Sequence, residues 1–376
     1  MKKNLKESRD RDIRRTYLQR KLGVNYFARN SRKSRRENTA LERKVNKKIL
    51  SLMEKGLSAR STKDRKIYLD LPSTMNLSSH YDDTMMYIHA IRALTLSPRS
   101  RKFYRLASVN FERLSDISSS AALLLTAELS RWDDSIRNNL RPQTSTWNPE
   151  ILKRFHSLGF FDLFKNSPAS NPETGGNSGV HFVRYVKGNH LKKDYRQLKE
   201  QLFEVIGSKI NKWTFLHSGL DEAITNVCHH AYPDEFRERD KNKNWYLTGA
   251  YNERTRELKV VFCDQGIGIP TSLPASKIWE KVLTYLSVLP LAVRRQHSTL
   301  LKAAMNVSRT STNEDDRGKG LPDMKEFIKQ RGAGYLALLS GHGLYKMTVA
   351  NQKEVHKSDT LSLPIEGTLI IWKVQL

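Results

Sequence analysis

The sequence is poor in the residues that form covalent or metal cross-links. Only two of its 376 residues are cysteines, Cys228 and Cys263, and neither lies in a CxxC motif. The eleven histidines form no HExxH motif and no His/Cys array. A disulfide framework and a structural zinc site are therefore not expected, and both cysteines are predicted to be buried, reduced thiols.

Long apolar runs are also lacking. No stretch of about 18 uninterrupted apolar residues occurs, which excludes a transmembrane helix. The N-terminus is charged from Lys2 onward, which argues against a signal peptide. With 38% hydrophobic and 28% charged residues, the sequence predicts a soluble, cytoplasmic protein without a membrane partner. It is long enough for two ordinary domains.

Acidic residues are scarce relative to basic ones. The chain has 65 Lys and Arg against 39 Asp and Glu, a net charge of +26. Residues 1–66 hold 23 Lys and Arg against 7 Asp and Glu, which is +16 of that total. Aromatic residues such as Tyr17, Tyr26 and Phe27 lie among these cations. The pattern predicts a basic, largely helical arm over residues 1–65 that binds nucleic acid or a ribonucleoprotein, or alternatively a solvated tail that aids solubility.

Strands and helices are predicted to alternate over residues 66–166. Strands are expected at Lys66–Leu71 and Lys102–Val109, with a helix from about Asp82 to Leu96 between them. Three serines precede a small-residue helix at Ala121–Leu129, and a further helix follows Trp147-Asn148-Pro149. This order indicates a small α/β domain.

The strand, the serine-rich turn, the Ala/Leu helix and a later "LGFFDLF" segment resemble a STAS-like domain. That family includes the anti-anti-sigma factors of bacterial partner-switching systems, so the resemblance implies a protein partner for residues 66–166. The position that is phosphorylated in the family matches Ser118 or Ser119, although Ile117 stands where the family usually has Asp. Alternatively, the serines are simply the N-cap and first turn of the helix.

Residues 167–179 are rich in Pro, Gly, Ser and Asn. Such a composition does not form a packed element, so it predicts a linker between the first domain and a second domain at residues 180–376.

The second domain contains a helix with an E-x-x-x-N pair. Glu222 and Asn226 lie four residues apart, so both side chains leave the same face of the helix. A carboxylate beside a carboxamide can orient a water molecule and supply an oxygen ligand to Mg²⁺. The pair alone is weak support, because on most helices it is surface polarity.

An apolar strand, Leu258–Cys263, is followed directly by Asp264-Gln265-Gly266-Ile267-Gly268. Asp264 can accept a hydrogen bond from an adenine amino group. Gly266 and Gly268 allow the main chain to turn tightly and approach a ligand closely.

Two further segments with candidate ligand-binding residues follow later in the sequence. Arg317-Gly318-Lys319-Gly320-Leu321-Pro322 opens a helix, and successive main-chain N–H groups at such a helix start can hold phosphate. Gly367-Thr368 begins the last predicted strand. The polar stretch Asn306–Asp316 suits a mobile lid over a nucleotide.

The four segments occur in the order typical of the GHKL superfamily of ATP-binding domains. "DEAITNVCHHAY" resembles the N box, "DQGIGIP" and "RGKGLP" resemble the two glycine boxes, and "EGT" resembles the final strand's signature. The resemblance implies a Bergerat-type α/β sandwich, a mixed sheet with helices on one face, which binds ATP with Mg²⁺.

The resemblance also assigns roles to residues. It implies that Glu222 is the general base and that Asn226 holds Mg²⁺. The residues that it assigns to the nucleotide are Asp264, Gly266, Gly268, Gly318, Lys319, Gly320 and Thr368. His229 matches a basic position near phosphate in kinases of the superfamily, although a histidine on the helix surface would look the same.

Three functions remain open at this point. The first is an ATP-driven switch with slow hydrolysis, in which a homodimer or an interdomain contact changes and the basic arm contacts nucleic acid. The second is a protein serine kinase that resembles the anti-sigma factors and acts on a STAS-like domain. The third is an ATP-binding module without turnover.

Overall fold

The computed structural model describes residues 40, 43–95, 104–132, 142–165, 179–189, 195–208, 210–233, 243–276, 278–307 and 323–376. The predictions for residues 1–39, for most of the linker and for Gly318, Lys319 and Gly320 concern residues outside these ranges. The chain is of the mixed α/β class, as the sequence predicts, and a six-stranded antiparallel sheet packs against helices.

The helices in chain order are α1 (residues 43–54), α2 (Tyr81–Thr95), α3 (Ser119–Ser130), α4 (Pro149–Leu158), α5 (Arg196–Ile206), α6 (Trp213–Asn226), α7 (Ile269–Ser272), α8 (Trp279–Ser287), α9 (Leu291–Arg294), α10 (His297–Val307) and α11 (Asp323–Arg331). The strands are β1 (Ala59–Ser61), β2 (Lys66–Asp70), β3 (Thr74–Met75), β4 (Arg105–Asn110), β5 (Asp116–Ile117), β6 (Val180–Phe182), β7 (Val186–Asn189), β8 (Asn244–Asn252), β9 (Glu257–Asp264), β10 (Gly334–Ala350) and β11 (Lys353–Gln375).

Contacts between Cα atoms divide the chain into two compact units. The first comprises Met1–Leu69 and Ala90–Val109, and the second comprises Asp70–His89 and Asn110–Leu376. The described helices α3 and α4 therefore belong to the same unit as the six-stranded sheet.

The first unit contains a three-stranded sheet in the order β1-β2-β4. Helix α1 buries Val45, Ile49 and Leu52, which follow helical spacing, and leaves its other side exposed. Within the predicted arm, residues 43–54 are helical, whereas Ala59–Ser61 form a strand that pairs antiparallel with β2. An edge strand of three residues is too short to show a periodic pattern.

The second unit is built on the sheet β10-β11-β9-β8-β6, and β7 pairs with another part of β8. All of these pairings are antiparallel, so the predicted mixed sheet is wrong. The strands β8 and β9 form one hairpin and β10 and β11 form another. Hairpins join antiparallel neighbours, whereas parallel neighbours would require crossover connections.

Both faces of the sheet are covered. One face packs on the main core, which includes Trp245, Phe262, Trp372 and the buried sides of α6, α10 and α11. The other face carries Tyr246 and Val261, both fully buried, and α3 packs against it over β8 and β9. The expectation of helices on a single face is therefore wrong, because α3 is buried along its whole length and requires an apolar surface on which to pack.

The predicted helix starts are confirmed in detail for α3 and α4. Ser118 is the N-cap of α3 and accepts a hydrogen bond from the Ala121 main-chain N–H. Asn148 caps α4, which has Pro149 in its first turn and ends at Gly159 in the left-handed conformation.

Candidate functional site

Helix α6 presents the predicted carboxylate and amide together. The Asn226 Nδ2 donates a hydrogen bond to the Glu222 Oε1 at 3.0 Å. Both residues are half-buried, while Leu216, Leu220 and Ile224 on the same helix are buried in the core. The apolar stripe therefore fixes the rotation of the helix, and this rotation holds the polar pair at the edge of the core.

After Asn226 the helix widens into a π-helical turn, Val227–Ala231. Turns of this kind are uncommon and occur frequently at functional sites. At its end, the Ala231 carbonyl accepts a hydrogen bond from the Ile267 N–H at 2.9 Å. A Cβ atom on Gly266 would lie 2.3 Å from the same oxygen. The end of the helix and the glycine loop can therefore approach this closely only because residue 266 is a glycine.

Asp264 is the last residue of β9 and lies opposite Thr368 of β11 in the sheet. Its side chain is buried, and its Oδ1 accepts a hydrogen bond from the Gly266 N–H at 2.8 Å. Burial raises the pKa of Asp264 to about 6, against the opposing effect of hydrogen bonds from Gly266 and Thr368. Asp264 is therefore a buried hydrogen-bond acceptor at the end of a strand.

The final strand and the glycine loop are locked together by Ser340. Its hydroxyl donates to the Gly367 carbonyl at 2.7 Å and accepts from the Ile269 N–H at 2.9 Å. Gly367 has φ +85°, and a Cβ atom there would lie 2.1 Å from the Asp264 carbonyl oxygen. The sequence analysis missed Ser340, whose only signal is a hydroxyl within an apolar strand.

Gln265 is a second residue that the sequence analysis missed. Its main-chain N–H donates to the Tyr232 hydroxyl at 3.1 Å, and that hydroxyl donates to the Asn244 carbonyl. Its side-chain Nε2 donates to the Glu128 Oε1 on α3 at 2.9 Å. Because Glu128 is 137 residues away in sequence, no local pattern could have indicated this contact.

His229 lies in the π turn and is exposed, with its ring 5.9 Å from that of His230. The pKa of His230 is lowered by burial and by the neighbouring His229. Nothing among the described residues fixes the His229 ring against the other predicted site residues.

The helix that follows the second glycine box is held firmly, although the box itself lies outside the described ranges. In α11 the buried Lys325 donates from its Nζ to the Met305 carbonyl at 2.8 Å, and the Trp372 Nε1 donates to the Met324 carbonyl at 2.8 Å. Helix α11 also packs against α6. The start of α11 is thus tied both to α6 and to the sheet.

The structure therefore brings together three of the four predicted segments. The Asp264–Gly268 loop contacts the end of the α6 π turn on one side and Gly367-Thr368 on the other. By helix geometry, Asn226 lies about 7 Å and Glu222 about 13 Å along the axis before Ala231. The oxygen-bearing pair and the buried carboxylate are thus at the two ends of one short stretch of α6 and its π turn.

Metal-binding potential at this site is limited to oxygen ligands. Among the described residues, no group of three or more His, Cys, Asp or Glu side chains could by itself hold a metal ion. The side-chain oxygens of Glu222 and Asn226 suit Mg²⁺, which usually takes one or two protein ligands and fills its other positions with water and phosphate oxygens.

No protein-family model matches this chain, and no curated protein matches it in sequence. None of the helices that can be traced in the described ranges combines the length and the apolarity needed to span a bilayer. Any functional conclusion therefore depends on the geometry of the site itself.

Proposed function

We propose that the second compact unit binds ATP with Mg²⁺ and acts as a slow, ATP-driven switch of the GHKL type, with a Bergerat-type arrangement of sheet and helices. The observation that carries the proposal is the convergence of the end of α6, the Asp264–Gly268 loop and Gly367-Thr368. Three segments far apart in sequence meet at one end of the sheet, in the order and with the residue types that an adenine site requires.

In this proposal Asp264 accepts a hydrogen bond from the adenine amino group. Thr368, beside Asp264 in the sheet, assists near the base, and Gly266 and Gly268 keep the loop close enough to contact it. A deeply buried acceptor discriminates strongly, because a base without the matching donor would leave the carboxylate unsatisfied.

The phosphates extend toward α6. Glu222 orients the attacking water and accepts its proton, and the Asn226 side-chain oxygen would hold Mg²⁺, which would supply neutralisation of the phosphate charge. The observed hydrogen bond from Asn226 to Glu222 keeps the carboxylate in a fixed rotamer before substrate arrives. Gly318, Lys319 and Gly320 are assigned to the phosphates by sequence alone.

Binding and turnover test the proposal separately. Wild-type protein should bind a fluorescent ATP analogue in the presence of Mg²⁺ and release phosphate slowly. Glu222→Ala should abolish release and keep the affinity within about threefold, because Glu222 acts on water and not on the base. Asp264→Asn should lose binding, whereas Asp359→Asn, the same change at a partly exposed position of β11 that pairs with Lys357, should not. A wild-type protein that takes up no adenine nucleotide would refute the proposal.

A protein kinase remains the alternative enzyme. Within this chain, however, the Ser118 hydroxyl is occupied as the N-cap of α3, and Ser119 and Ser120 are buried. This burial favours the switch over phosphorylation of α3. Incubation with γ-labelled ATP separates the functions: label retained on protein indicates a kinase, free phosphate alone indicates an ATPase, and neither product with tight binding indicates a binding module.

We also propose that the first unit contacts nucleic acid. Its described residues include eleven Lys and Arg against two acidic residues. Helix α1 and Arg65 line a groove of about 730 Å³ that contains Arg43, Lys47 and the exposed Leu50. The Arg65 guanidinium lies 6.0 Å from the ring of Tyr104. Cations around an accessible apolar surface suit phosphates and bases together.

A further inference from the structure

Gln265 occupies an unusual position within the proposed nucleotide loop. Successive residues of an extended chain point to opposite faces of a sheet. The Gly266 N–H donates to the Asp264 carboxylate and Gly266 lies against Ala231 at the end of the π turn, whereas the Gln265 side chain contacts α3, which covers the other face. The residue next to the adenine-binding carboxylate is thus attached to a helix that contributes nothing else to the proposed site.

The contact between Gln265 and Glu128 is buried on both sides. Glu128 is 3% exposed and Gln265 is 6% exposed, and their polar atoms are 2.9 Å apart. Glu128 is also the one charged residue in α3, whose other residues are small or apolar. A carboxylate in such a helix costs free energy unless it is hydrogen-bonded, so the Gln265 amide offsets a substantial penalty.

The main chain of Gln265 is fixed from the opposite direction. The Tyr232 hydroxyl, which follows the π turn of α6, accepts from the Gln265 N–H at 3.1 Å and donates to the Asn244 carbonyl at 2.8 Å. Residue 265 therefore joins two helices, α6 through its main chain and α3 through its side chain. The main chain between Asp264 and Gly266 is therefore held from both sides.

We propose that Glu128 is a positioning residue for the nucleotide loop and that it couples helix α3 to nucleotide occupancy. Glu128 holds the Gln265 side chain, which sets the main-chain direction of the loop and hence the place of the Asp264 carboxylate. Because coupling between two sites is reciprocal, nucleotide bound at Asp264 stabilises the packing of α3 to the same extent that α3 strengthens nucleotide binding. This inference rests on the proposed binding of nucleotide. The hydrogen bond between Gln265 and Glu128 is observed independently of that proposal.

An exchange of the two side chains tests the coupling. Gln265→Glu places two carboxylates together in a buried site and should weaken binding of the fluorescent ATP analogue about tenfold or more. Glu128→Gln is isosteric and should weaken binding less. The double variant Glu128→Gln/Gln265→Glu restores an amide opposite a carboxylate and should recover the affinity to within about threefold of wild type. A role in packing alone would lower the melting temperature of Gln265→Glu and leave the affinity of the folded protein unchanged.

A second measurement follows α3 directly. Addition of ATP analogue should slow amide hydrogen exchange in Ser119–Ser130 of the wild type, and Gln265→Glu should remove most of this protection. Ser130→Ala is the matched control, because Ser130 makes a separate hydrogen bond from α3 to the sheet, to Tyr246. This change should lower the melting temperature and leave nucleotide affinity within about twofold.

The outcomes separate the two proposals. A wild-type protein that binds no nucleotide overturns the proposed function and the coupling together. A wild type that binds nucleotide normally while Gln265→Glu and Glu128→Gln bind equally well overturns the coupling alone. If Gln265→Glu does not fold, recovery of folding and affinity in the double variant supports the pair, and a double variant that folds but still binds the ATP analogue at least about tenfold more weakly than the wild type overturns it.

Discussion

At the scale of single residues, the proposed site depends on groups that are unfavourable for folding. Asp264 is a carboxylate in a buried position with a raised pKa, and Gly367 has a main-chain conformation that L-residues rarely adopt. Both lie at one end of the sheet, where Asp264 of β9 is opposite Thr368, the residue that follows Gly367 in β11. A better packed alternative at these positions would be more stable. Residues that are unfavourable for folding therefore indicate a functional requirement.

The burial of Asp264 makes a prediction about stability and pH. Its pKa is about 6 in the folded chain, against an ordinary value of 3.8. The ionised carboxylate therefore destabilises the fold at pH above about 6, and this penalty is absent below pH 3.8. Asp264→Asn should raise the free energy of unfolding at pH 8, by about 3 kcal/mol at most, and by progressively less as the pH falls toward 4. Urea unfolding of both proteins across this range measures the difference. A difference that does not change with pH would contradict the burial of an ionised group.

Gly367 gives a second prediction at the same scale. A Cβ atom at Gly367 would lie 2.1 Å from the Asp264 carbonyl oxygen, whereas Gly207, also with positive φ, has nothing within 4 Å. Gly207→Ala should cost about 1 kcal/mol for backbone strain alone. Gly367→Ala should cost at least about 3 kcal/mol, because the clash with main chain adds to the strain. Thermal unfolding compares the two, and equal losses would show that the β9–β11 approach is looser than described.

At the scale of elements, helix α3 has both a serine cap and an apolar body, and each of them is visible in the sequence. Its start is a capped turn of serines, and its body is a stripe of Ala and Leu that is buried on all sides. The sequence predicted the helix and its cap, because both are local patterns. It did not predict that α3 covers the second face of the six-stranded sheet, because the apolar residues of a fully buried helix do not indicate which surface they contact.

The cap of α3 can be tested with two substitutions. Ser118→Ala removes the acceptor for the Ala121 N–H and should lower the free energy of unfolding by about 1 kcal/mol. Ser118→Asp retains an acceptor at a helix N-terminus and should be near neutral or slightly stabilising. Urea unfolding measures both variants. If Ser118→Asp instead destabilises as much as Ser118→Ala, the hydroxyl has a role other than capping.

At the scale of the whole molecule, a feature could be predicted from the sequence when the residues that determine it lie close together in the chain. The class of the fold, the starts of α3 and α4 and the pairing of Glu222 with Asn226 depend on residues near one another in sequence. The roles of Ser340, Gln265 and Glu128 depend on contacts between distant segments, such as the hydrogen bond from Gln265 to Glu128. The antiparallel order of the sheet was missed for the same reason.

The charge distribution gives a prediction at this scale. Arg43→Glu with Lys47→Glu changes two exposed cations of α1 and should weaken binding of a labelled single-stranded RNA, with a shallower dependence on salt concentration. The matched control, Lys281→Glu with Lys302→Glu, makes the same change of net charge on exposed positions of the second unit. Fluorescence anisotropy at several salt concentrations compares them. Equal weakening by both pairs would show that total charge, and not the first unit, determines binding.

The two hairpins of the large sheet have a consequence for the order of folding. Pairing within β8–β9 and within β10–β11 is local in sequence, whereas pairing of β9 with β11 closes a loop of about a hundred residues, and long loops close more slowly. Asp264 and Thr368 become neighbours only in that last step. A ligand held between Asp264 and Thr368 would therefore bind only molecules in which the two hairpins have joined. In a cell, such a ligand would protect newly joined molecules from reopening and degradation.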